Sequence, residues 1–501
     1  RYTKKRDFRK RVEGQKKMGK NHTKEMFPLS YSQQNIWNLE QAYPGISINN
    51  ICTALYIEGN FRVDLLQRCI GYAYEVFPVL RTRITYENGK ALQYISDEMP
   101  VPAPFIDFSK TNQRGGEVWN RSAAREHLPL YNMNLCQMTI FKLSENEGGI
   151  MTRVHHIIAD AWSQALVTNH IIHNYFQLLQ SKEPDLQISP DYRAHIDMER
   201  KYIASRNFER DKEYWRAALQ NFPVTQLKEH RYSKISPIGV RRSIYLTSRM
   251  NRMIASFCEQ KRVSPFAVFY MGIAIYMCRM KNQKRFCIGI PTINRLNYKE
   301  KQSAGMFVNT LPFVNEIDDC MTLNELNDKL KDDWFSLLYH QRIPFEEIKK
   351  ILVSENDTIP EQLFGLALSY QNGKMDHLRG ARVTVEGRWI YSGYQAEALC
   401  IHVSSRDAQN QFLIDYDYLT QIFSDTDIEQ FHEHFMQILK HALLNPDLPV
   451  KDLDIIGEEE EEKLIFHFNQ ADCWYQREHS LKSELIEIAR EHPERAALIW
   501  E

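Results

Sequence analysis

The sequence changes its periodicity once within a short stretch, from the pattern of paired strands to the pattern of a helix. The runs CQMTIFKL (136–143) and IMTRVHHI (150–157) favour strands and are separated by the turn-forming residues SENEGG. From Ala161 onward, apolar residues recur at helical intervals. The sequence therefore predicts a β-hairpin followed at once by a helix, which is typical of a mixed α/β fold.

Two histidines and an aspartate, His155, His156 and Asp160, lie where the strand gives way to the helix. Such a corner presents side chains at the edge of a sheet, and Asp160 stands where an N-cap is expected. An imidazole with a pKa near 6.5 suits proton transfer at neutral pH. The pattern alone allows a catalytic site. It equally allows a structural corner in which Asp160 caps the helix and one histidine faces the core.

A zinc site is a second alternative, because His170 and His173 follow on the helix at i, i+3. Zinc needs three or four ligands, and the H-E-x-x-H pattern is absent. About three helical turns separate the two histidine pairs, which places them roughly 20 Å apart. We predict no metal.

The composition argues against several partner classes. With 501 residues, of which 43% are apolar, the chain can bury a large core and form about two to four domains. A net charge of −1 argues against nucleic acid and against an anionic membrane as partners. Residues 1–26 form a basic arm or linker, for which nucleic-acid binding remains an alternative.

Cysteines and apolar runs indicate a cytoplasmic chain. The nine cysteines are odd in number and include no C-x-x-C pair, which favours free thiols in a reducing compartment. The N-terminal region lacks the apolar segment of a signal peptide. The longest apolar run, PFAVFYMGIAIYMC (265–278), is too short to span a bilayer and predicts a buried helix.

The segment HHIIADAWS resembles the HHxxxDG signature of the condensation domains of nonribosomal peptide synthetases. Other segments resemble the remaining family motifs in the family's order, over residues 27–455. They are PLSYSQQNIWNL (28–39), FPVLRTRI (77–84), SPDYRAHID (189–197), IGIPTINR (288–295), AGMFVNTLP (304–312), HQRIPFEEI (340–348) and LSYQN (368–372). The ordered set is far more specific than any one motif.

The C-terminal segment 479–501 resembles the opening helix and first strand of an adenylation domain, with residues 456–478 as a linker. A condensation unit that leads into an adenylation unit is the order of a synthetase module. We therefore expect the natural chain to continue past Glu501.

The resemblance implies an α/β fold of two chloramphenicol-acetyltransferase-like sandwich lobes, arranged as a V-shaped pseudo-dimer with the active site at their junction. The N-lobe is expected at 27–195 and the C-lobe at 196–455. The pattern Thr322-Leu-Asn-Glu325 predicts a capping box that opens an amphipathic helix in the C-lobe. A monomer is expected.

The implied activity is formation of an amide bond between a donor acyl thioester and the amine of an aminoacyl thioester. Both substrates are attached as thioesters to the phosphopantetheine arms of donor and acceptor peptidyl carrier proteins, and the domain itself binds no cofactor. His156 would act as general base or as hydrogen-bond anchor for the amine, and His155 would hold the corner. Asp160 would pair with Arg295, for which a surface arginine is an equal alternative without the resemblance.

Two further residues are tunnel candidates, and three positions depart from the family pattern. Asn372 ends the LSYQN motif, although Asn-Gly is also a turn signal. Ala161 stands where the family usually has Gly, so a backbone that needed a positive φ there would be strained. Ser32 and Asn35 replace the usual Ala and Arg of the first motif.

The subtype stays open between peptide elongation, which is the commoner use, and a starter domain that acylates the first amino acid with a fatty or aryl group. Residues 1–26 do not resemble the end of a carrier domain, and a native start at Met18 would favour a starter. Epimerisation domains usually precede another condensation unit, so the adenylation-like C-terminal segment argues against that subtype. Heterocyclisation domains replace the first histidine with aspartate, and this sequence does not.

Two alternative functions do not involve amide formation between carrier-bound substrates. A non-catalytic docking platform tends to lose the motif, whereas both histidines and the aspartate are present here. A free-standing acyltransferase for an alcohol or a soluble amine would share HxxxD but would not continue into an adenylation domain.

Overall fold

The structure, a computed structural model, forms two compact units, Arg1–Leu453 and Asp454–Glu501. It describes residues 25–110, 114–223, 225–228, 235–356, 363–371, 383–405, 411–467 and 480–496.

The first unit contains three β-sheets. The strands in chain order are β1 (Phe27–Pro28), β2 (Asn50–Gly59), β3 (Thr82–Glu87), β4 (Lys90–Ile95), β5 (Phe105–Asp107), β6 (Cys136–Ser144), β7 (Glu147–His155), β8 (Gly239–Tyr245), β9 (Arg285–Thr292), β10 (Asn309–Glu316), β11 (Leu366–Gln371), β12 (Val383–Ile390), β13 (Leu399–Ser404) and β14 (Leu413–Leu419).

Helices separate most of these strands. Those of the first unit are α1 (Tyr31–Ala42), α2 (Val63–Val76), α3 (Arg114–Ala124), α4 (Ala161–Leu179), α5 (Arg193–Ile203), α6 (Arg206–Ala218), α7 (Ser248–Lys261), α8 (Pro265–Met280), α9 (Tyr298–Lys301), α10 (Leu323–Tyr339), α11 (Phe345–Glu355) and α12 (Asp425–Leu444), with 3₁₀ turns at Pro78–Arg81 and Val450–Asp452.

The N-terminal half builds a five-stranded sheet in the order β12-β2-β7-β6-β5. Strands β6 and β7 form the predicted hairpin, in which Cys136 lies opposite Val154. Helices α2 and α4 pack together over this sheet, and buried side chains such as Ile70, Ile171 and Tyr175 share its core. The switch from strand to helix periodicity therefore marks a corner at the C-terminal end of β7, the central strand of this sheet.

The C-terminal half builds a six-stranded sheet in the order β10-β9-β11-β13-β14-β8, in which β11 runs parallel to both of its neighbours. Helix α8 is the predicted buried apolar helix; it packs against α7, α10 and α12, and its Tyr270 ring contacts Phe313 of β10. A helix that is apolar on all sides needs such enclosure. Thr322 and Glu325 form the predicted capping box at the start of α10.

Strand β12 lies in the C-terminal half of the sequence but pairs with the N-terminal sheet. It runs antiparallel to β2, from Val383 opposite Gly59 to Ile390 opposite Cys52. Val383 and Val385 are buried in the N-terminal core. The division expected at 195/196 did not anticipate this exchange, and backbone hydrogen bonds therefore join the two halves.

The smaller unit contains α13 (Glu458–Glu462), a π-helical turn at Lys463–His467 and α14 (Leu481–Glu491), which Ser480 caps. Helix α14 falls where the adenylation-like opening helix was predicted. The strand predicted after it extends outside the described residues from 497 onward.

No described helix is by itself long and apolar enough to cross a membrane. Helices α7 and α8 satisfy that criterion only when taken together, across a bend of 108°.

Two glycines give a matched test of packing in the N-terminal sheet. A Cβ at Gly149 in β7 would lie 1.8 Å from the backbone oxygen of Leu55 and 2.6 Å from the Phe141 ring, whereas one at Gly71 in α2 would contact nothing within 4 Å. We expect Gly149→Ala to lower the free energy of unfolding by about 1–3 kcal/mol. Gly71→Ala should raise it by about 0.5–1 kcal/mol, because alanine favours a helix interior. Urea unfolding of both variants checks this, and equal effects would contradict the register of β2 and β7.

Candidate active site

The backbone of the corner between β7 and α4 is held by hydrogen bonds to neighbouring segments. The N–H of His155 donates to the carbonyl of Leu135 at 2.8 Å, and the N–H of His156 donates to the carbonyl of Asn49 at 2.7 Å. A tight turn follows, in which the N–H of Ile158 donates to the carbonyl of His155 at 3.1 Å. The two histidines are therefore placed by main-chain bonds on either side of the strand.

Asp160 caps helix α4 and is fully buried. One of its oxygens accepts from the backbone N–H and the hydroxyl of Ser163, both at 2.8 Å, and the other accepts from the N–H of Phe307 at 3.0 Å. The guanidinium of Arg295 reaches both oxygens, at 2.7 and 3.1 Å. This carboxylate has no spare acceptor directed at a ligand.

The pKa of Asp160 lies below its ordinary value. Burial raises the pKa of this carboxyl. The charge and hydrogen bonds of Arg295, together with the N–H groups of Ser163 and Phe307, lower this pKa by more than burial raises it. The group is therefore an anion at neutral pH, and its charge is matched within the pair.

Arg295 lies in the segment between β9 and β10 and is as buried as its partner. Its second nitrogen also donates to the hydroxyl of Ser163 at 2.9 Å, and its Cζ lies 4.0 Å from the centre of the Phe307 ring. The structure thus brings together Asp160 and Arg295, which are 135 positions apart, and ties the start of α4 to the C-terminal half.

His156 is partly buried, and its Nδ1 is enclosed without a hydrogen-bond partner among the described residues. Burial lowers the pKa of this imidazole below its ordinary value, and the neighbouring Asp160 charge opposes that shift without cancelling it. The ring is therefore neutral at neutral pH.

His155 is buried and faces the protein. The backbone N–H of Ile157 donates to its Nδ1 at 3.1 Å, so Nδ1 carries no proton and the neutral ring carries its proton on Nε2. That Nε2 lies 3.4 Å from a carboxylate oxygen of Glu40, within ion-pair distance but longer than a good hydrogen bond. The role of His155 in holding the corner stays a prediction.

Sequence reasoning missed Glu40, a buried acid in helix α1. Its carboxylate accepts from Nδ2 of Asn49 at 2.7 Å and from Nε2 of His127 at 3.0 Å. Burial raises the pKa of Glu40, but His155, His127 and Asn49 together hold it below the ordinary value. A signal existed, because Gln33 and Glu40 are seven residues apart and so share the buried face of the helix.

The remaining predicted positions are placed as follows. Ala161 is the first residue of α4 and its φ is not positive, so the strain considered for an alanine at this position is absent. Its place as a tunnel residue stays a prediction. Asn372 lies outside the described residues. Ser32 is buried and its hydroxyl donates to the carbonyl of Phe307 at 3.4 Å.

The histidines of α4 do not assemble into a metal site with the corner. Nε2 of His170 lies 3.0 Å from both the carbonyl of Asp185 and the amide nitrogen of Asn174. Within the described ranges, the potential ligand atoms that cluster belong to Asp318, Asp319 and Cys320.

The buried ion pair of Asp160 and Arg295 should make a large contribution to the free energy of unfolding. Arg295→Ala leaves the Asp160 carboxylate buried without its counter-charge, so we expect the free energy of unfolding to fall by about 3–5 kcal/mol. Arg62→Ala removes an exposed arginine paired with Asp64 and should change little. Urea unfolding followed by tryptophan fluorescence compares them. Equal effects of the two substitutions would contradict a dominant buried pair.

The lowered pKa of His156 can be measured directly. On acidification the ring should take up its proton only below about pH 6.5, later than a free histidine, because its charged form is poorly solvated. An NMR titration of the ring protons, assigned by their loss in His156→Ala, gives the midpoint. A midpoint at or above about 6.5 would contradict this environment.

Comparison with curated proteins identifies long relatives, of which this chain matches a part. It is 30% identical over 477 residues to surfactin synthase subunit 1 of Bacillus subtilis (strain 168), covering 93% of this chain and 13% of that protein. It is 25% identical over 479 residues to a plipastatin synthase of the same organism, covering 94% and 18%. The chain thus spans less than a fifth of the length of these relatives.

Solved structures share the fold. A mutant starter condensation domain of rhizomide synthetase, in complex with C8-CoA, superposes with a TM-score of 0.77 at 20% identity, covering 86% of this chain and 98% of that one. The first condensation domain of the calcium-dependent antibiotic synthetase, in complex with a substrate analogue, gives 0.77 at 19%, covering 86% and 100%. The predicted α/β fold class with two acetyltransferase-like lobes is confirmed.

The family profile described as "Condensation domain" matches residues 23–465, which include every element of the corner. The chain therefore belongs to the condensation-domain family of nonribosomal peptide synthetases, which are acyltransferases that form amide bonds.

Proposed function

We propose that this chain joins a donor acyl thioester to the amine of an aminoacyl thioester, with both substrates carried on phosphopantetheine arms. The observation that carries the proposal is the state of His156, a neutral, partly buried imidazole whose backbone is bonded to Asn49. An imidazole in this state can accept or orient the proton of an attacking amine.

The reaction breaks the thioester C–S bond and forms an amide C–N bond. The amine nitrogen attacks the thioester carbonyl, the tetrahedral intermediate expels the thiolate, and the amine proton leaves through Nε2 of His156 and ends on the thiol. Asp160 takes no proton in this scheme, because all its acceptor positions are engaged. Thioesters are already activated, so placement of the two arms contributes more than base strength.

The partners follow from the same proposal. A donor and an acceptor peptidyl carrier protein deliver the arms, and the segment 479–501, which contains helix α14, is proposed as the start of an adenylation domain. The greater length of the synthase relatives supports such neighbours. We place the protein in the cytoplasm, in keeping with the free thiols of all eight described cysteines. We also propose that it is a monomer.

A starter reaction is a second candidate for the donor side. The similarity to a starter condensation domain solved with C8-CoA favours a fatty acyl donor, and elongation would instead use a peptidyl or aminoacyl donor. The acceptor chemistry at His156 is the same in both cases, so the identity of the donor alone separates them.

A single-turnover assay followed by mass spectrometry tests the proposal. Peptidyl and fatty acyl carrier thioesters are offered as donors and aminoacyl carrier thioesters as acceptors, to the wild type and to His156→Ala. We expect an amide on the acceptor arm, formed at least about tenfold more slowly by the variant. His173→Ala is the matched control, since His173 is exposed on α4, and it should keep the wild-type rate.

The productive donor decides between elongation and a starter reaction. If both carriers bind and no donor yields an amide, the catalytic proposal is wrong and a docking platform takes its place. An undiminished rate in His156→Ala would remove the assigned role of this histidine.

A further inference from the structure

A second buried carboxylate, that of Glu40 in helix α1, faces the ring of His155. Glu40 is 5% exposed, and three N–H groups from different segments face it, those of Asn49, His127 and His155. We propose that Glu40 is a positioning residue for His156, acting through Asn49 and His155. This inference rests on the proposed function of His156.

The first connection runs through Asn49, which is itself buried. Its side-chain Nδ2 donates to Glu40 at 2.7 Å, and its backbone carbonyl accepts from the N–H of His156 at 2.7 Å. Glu40 thus orients the residue whose carbonyl fixes the peptide group of His156.

The second connection runs through His155. Its Nε2 faces Glu40 at 3.4 Å, and its Nδ1 accepts from the N–H of Ile157 at 3.1 Å. His155 and Ile157 are the two neighbours of His156 in the chain. The ring of His155 therefore links the Glu40 carboxylate to the backbone of Ile157, so its contacts involve the residue before His156 and the residue after it. A shift of Glu40 would loosen both neighbours of His156.

A carboxylate suits this place because it offers about four lone-pair positions and donates nothing when ionised. A hydrocarbon of similar size would leave the side-chain N–H of Asn49 buried without an acceptor, which is costly, and would remove the carboxylate that faces Nε2 of His155. Glutamine can keep part of the arrangement. Its oxygen can accept from Asn49 and His155, while its NH₂ faces His127, whose ring can take the other tautomer.

Glu40 does not act on the substrate itself. It is enclosed on helix α1, and its carboxylate oxygens are engaged by the side chains described above. Its effect on the reaction must therefore be on the limiting rate, through the orientation of His156, rather than on the binding of the acceptor.

The kinetic test compares Glu40→Leu and Glu40→Gln with the wild type, each corrected for its folded fraction. The acceptor concentration is varied in the single-turnover amide assay. We expect Glu40→Leu to lower the limiting rate at least about tenfold, while the half-saturating acceptor concentration changes less than about threefold. Glu40→Gln should stay within about threefold of the wild type. Glu145→Leu makes the same change at an acid that is 87% exposed and should have no effect.

A wild-type limiting rate in folded Glu40→Leu would overturn the inference, because a merely structural acid lowers the folded fraction without slowing the folded molecules. A Glu40→Gln variant as slow as Glu40→Leu would overturn the hydrogen-bonded route. If Glu40→Leu does not fold, the glutamine variant and the measurement below carry the test.

The tautomer of His155 gives a readout that needs no activity. Two-bond ¹H–¹⁵N correlation spectra of the wild type should show the proton of His155 on Nε2 and none on Nδ1, as acceptance from Ile157 requires. A proton on Nδ1 would break the connection and the inference with it. Failure of the wild type to form any amide would instead count against the proposed function.

Discussion

The buried ion pair of Asp160 and Arg295 is the interaction on which the arrangement of the site depends. Removing two charges from water costs several kcal/mol per ion, so such a pair is tolerated only with near-ideal geometry and additional hydrogen bonds. Both conditions hold here, because the pair is bidentate and the carboxylate also accepts from Ser163 and Phe307. Since its members come from the two halves of the chain, the pair requires the halves to be correctly assembled before the corner is complete.

Two buried acids, Asp160 and Glu40, hold the segments around His156 through hydrogen bonds that each carboxylate accepts. Asp160 fixes the helix that follows it, and Glu40 contacts the residues that flank it and the residue that holds its peptide group. Each acid stays ionised because N–H groups and positive charge outweigh the effect of burial on its pKa. The two acids therefore supply rigidity to the segments on both sides of His156.

The sequence predicted the parts of this site that follow local rules and motif order. The hairpin and the start of α4 followed from periodicity, the cap at Asp160 from its position before a helical run, and the partner Arg295 from the family motifs. Glu40 was missed because a buried polar residue produces no apolar periodicity. Strand β12 was missed because alternation shows that VTVEGRWI is a strand but not that its partner is β2, some 330 positions earlier.

The electrostatics of His156 also bear on what the imidazole contributes. A free histidine with a pKa near 6.5 is already about three-quarters neutral at pH 7, so lowering its pKa adds little to the neutral fraction. The same shift weakens the imidazole as a base, which reduces the driving force for proton removal. An environment selected for basicity would raise this pKa, whereas burial here lowers it. The surroundings of His156 therefore favour fixed placement over proton affinity, which is the contribution that the proposed thioester reaction would need from this ring.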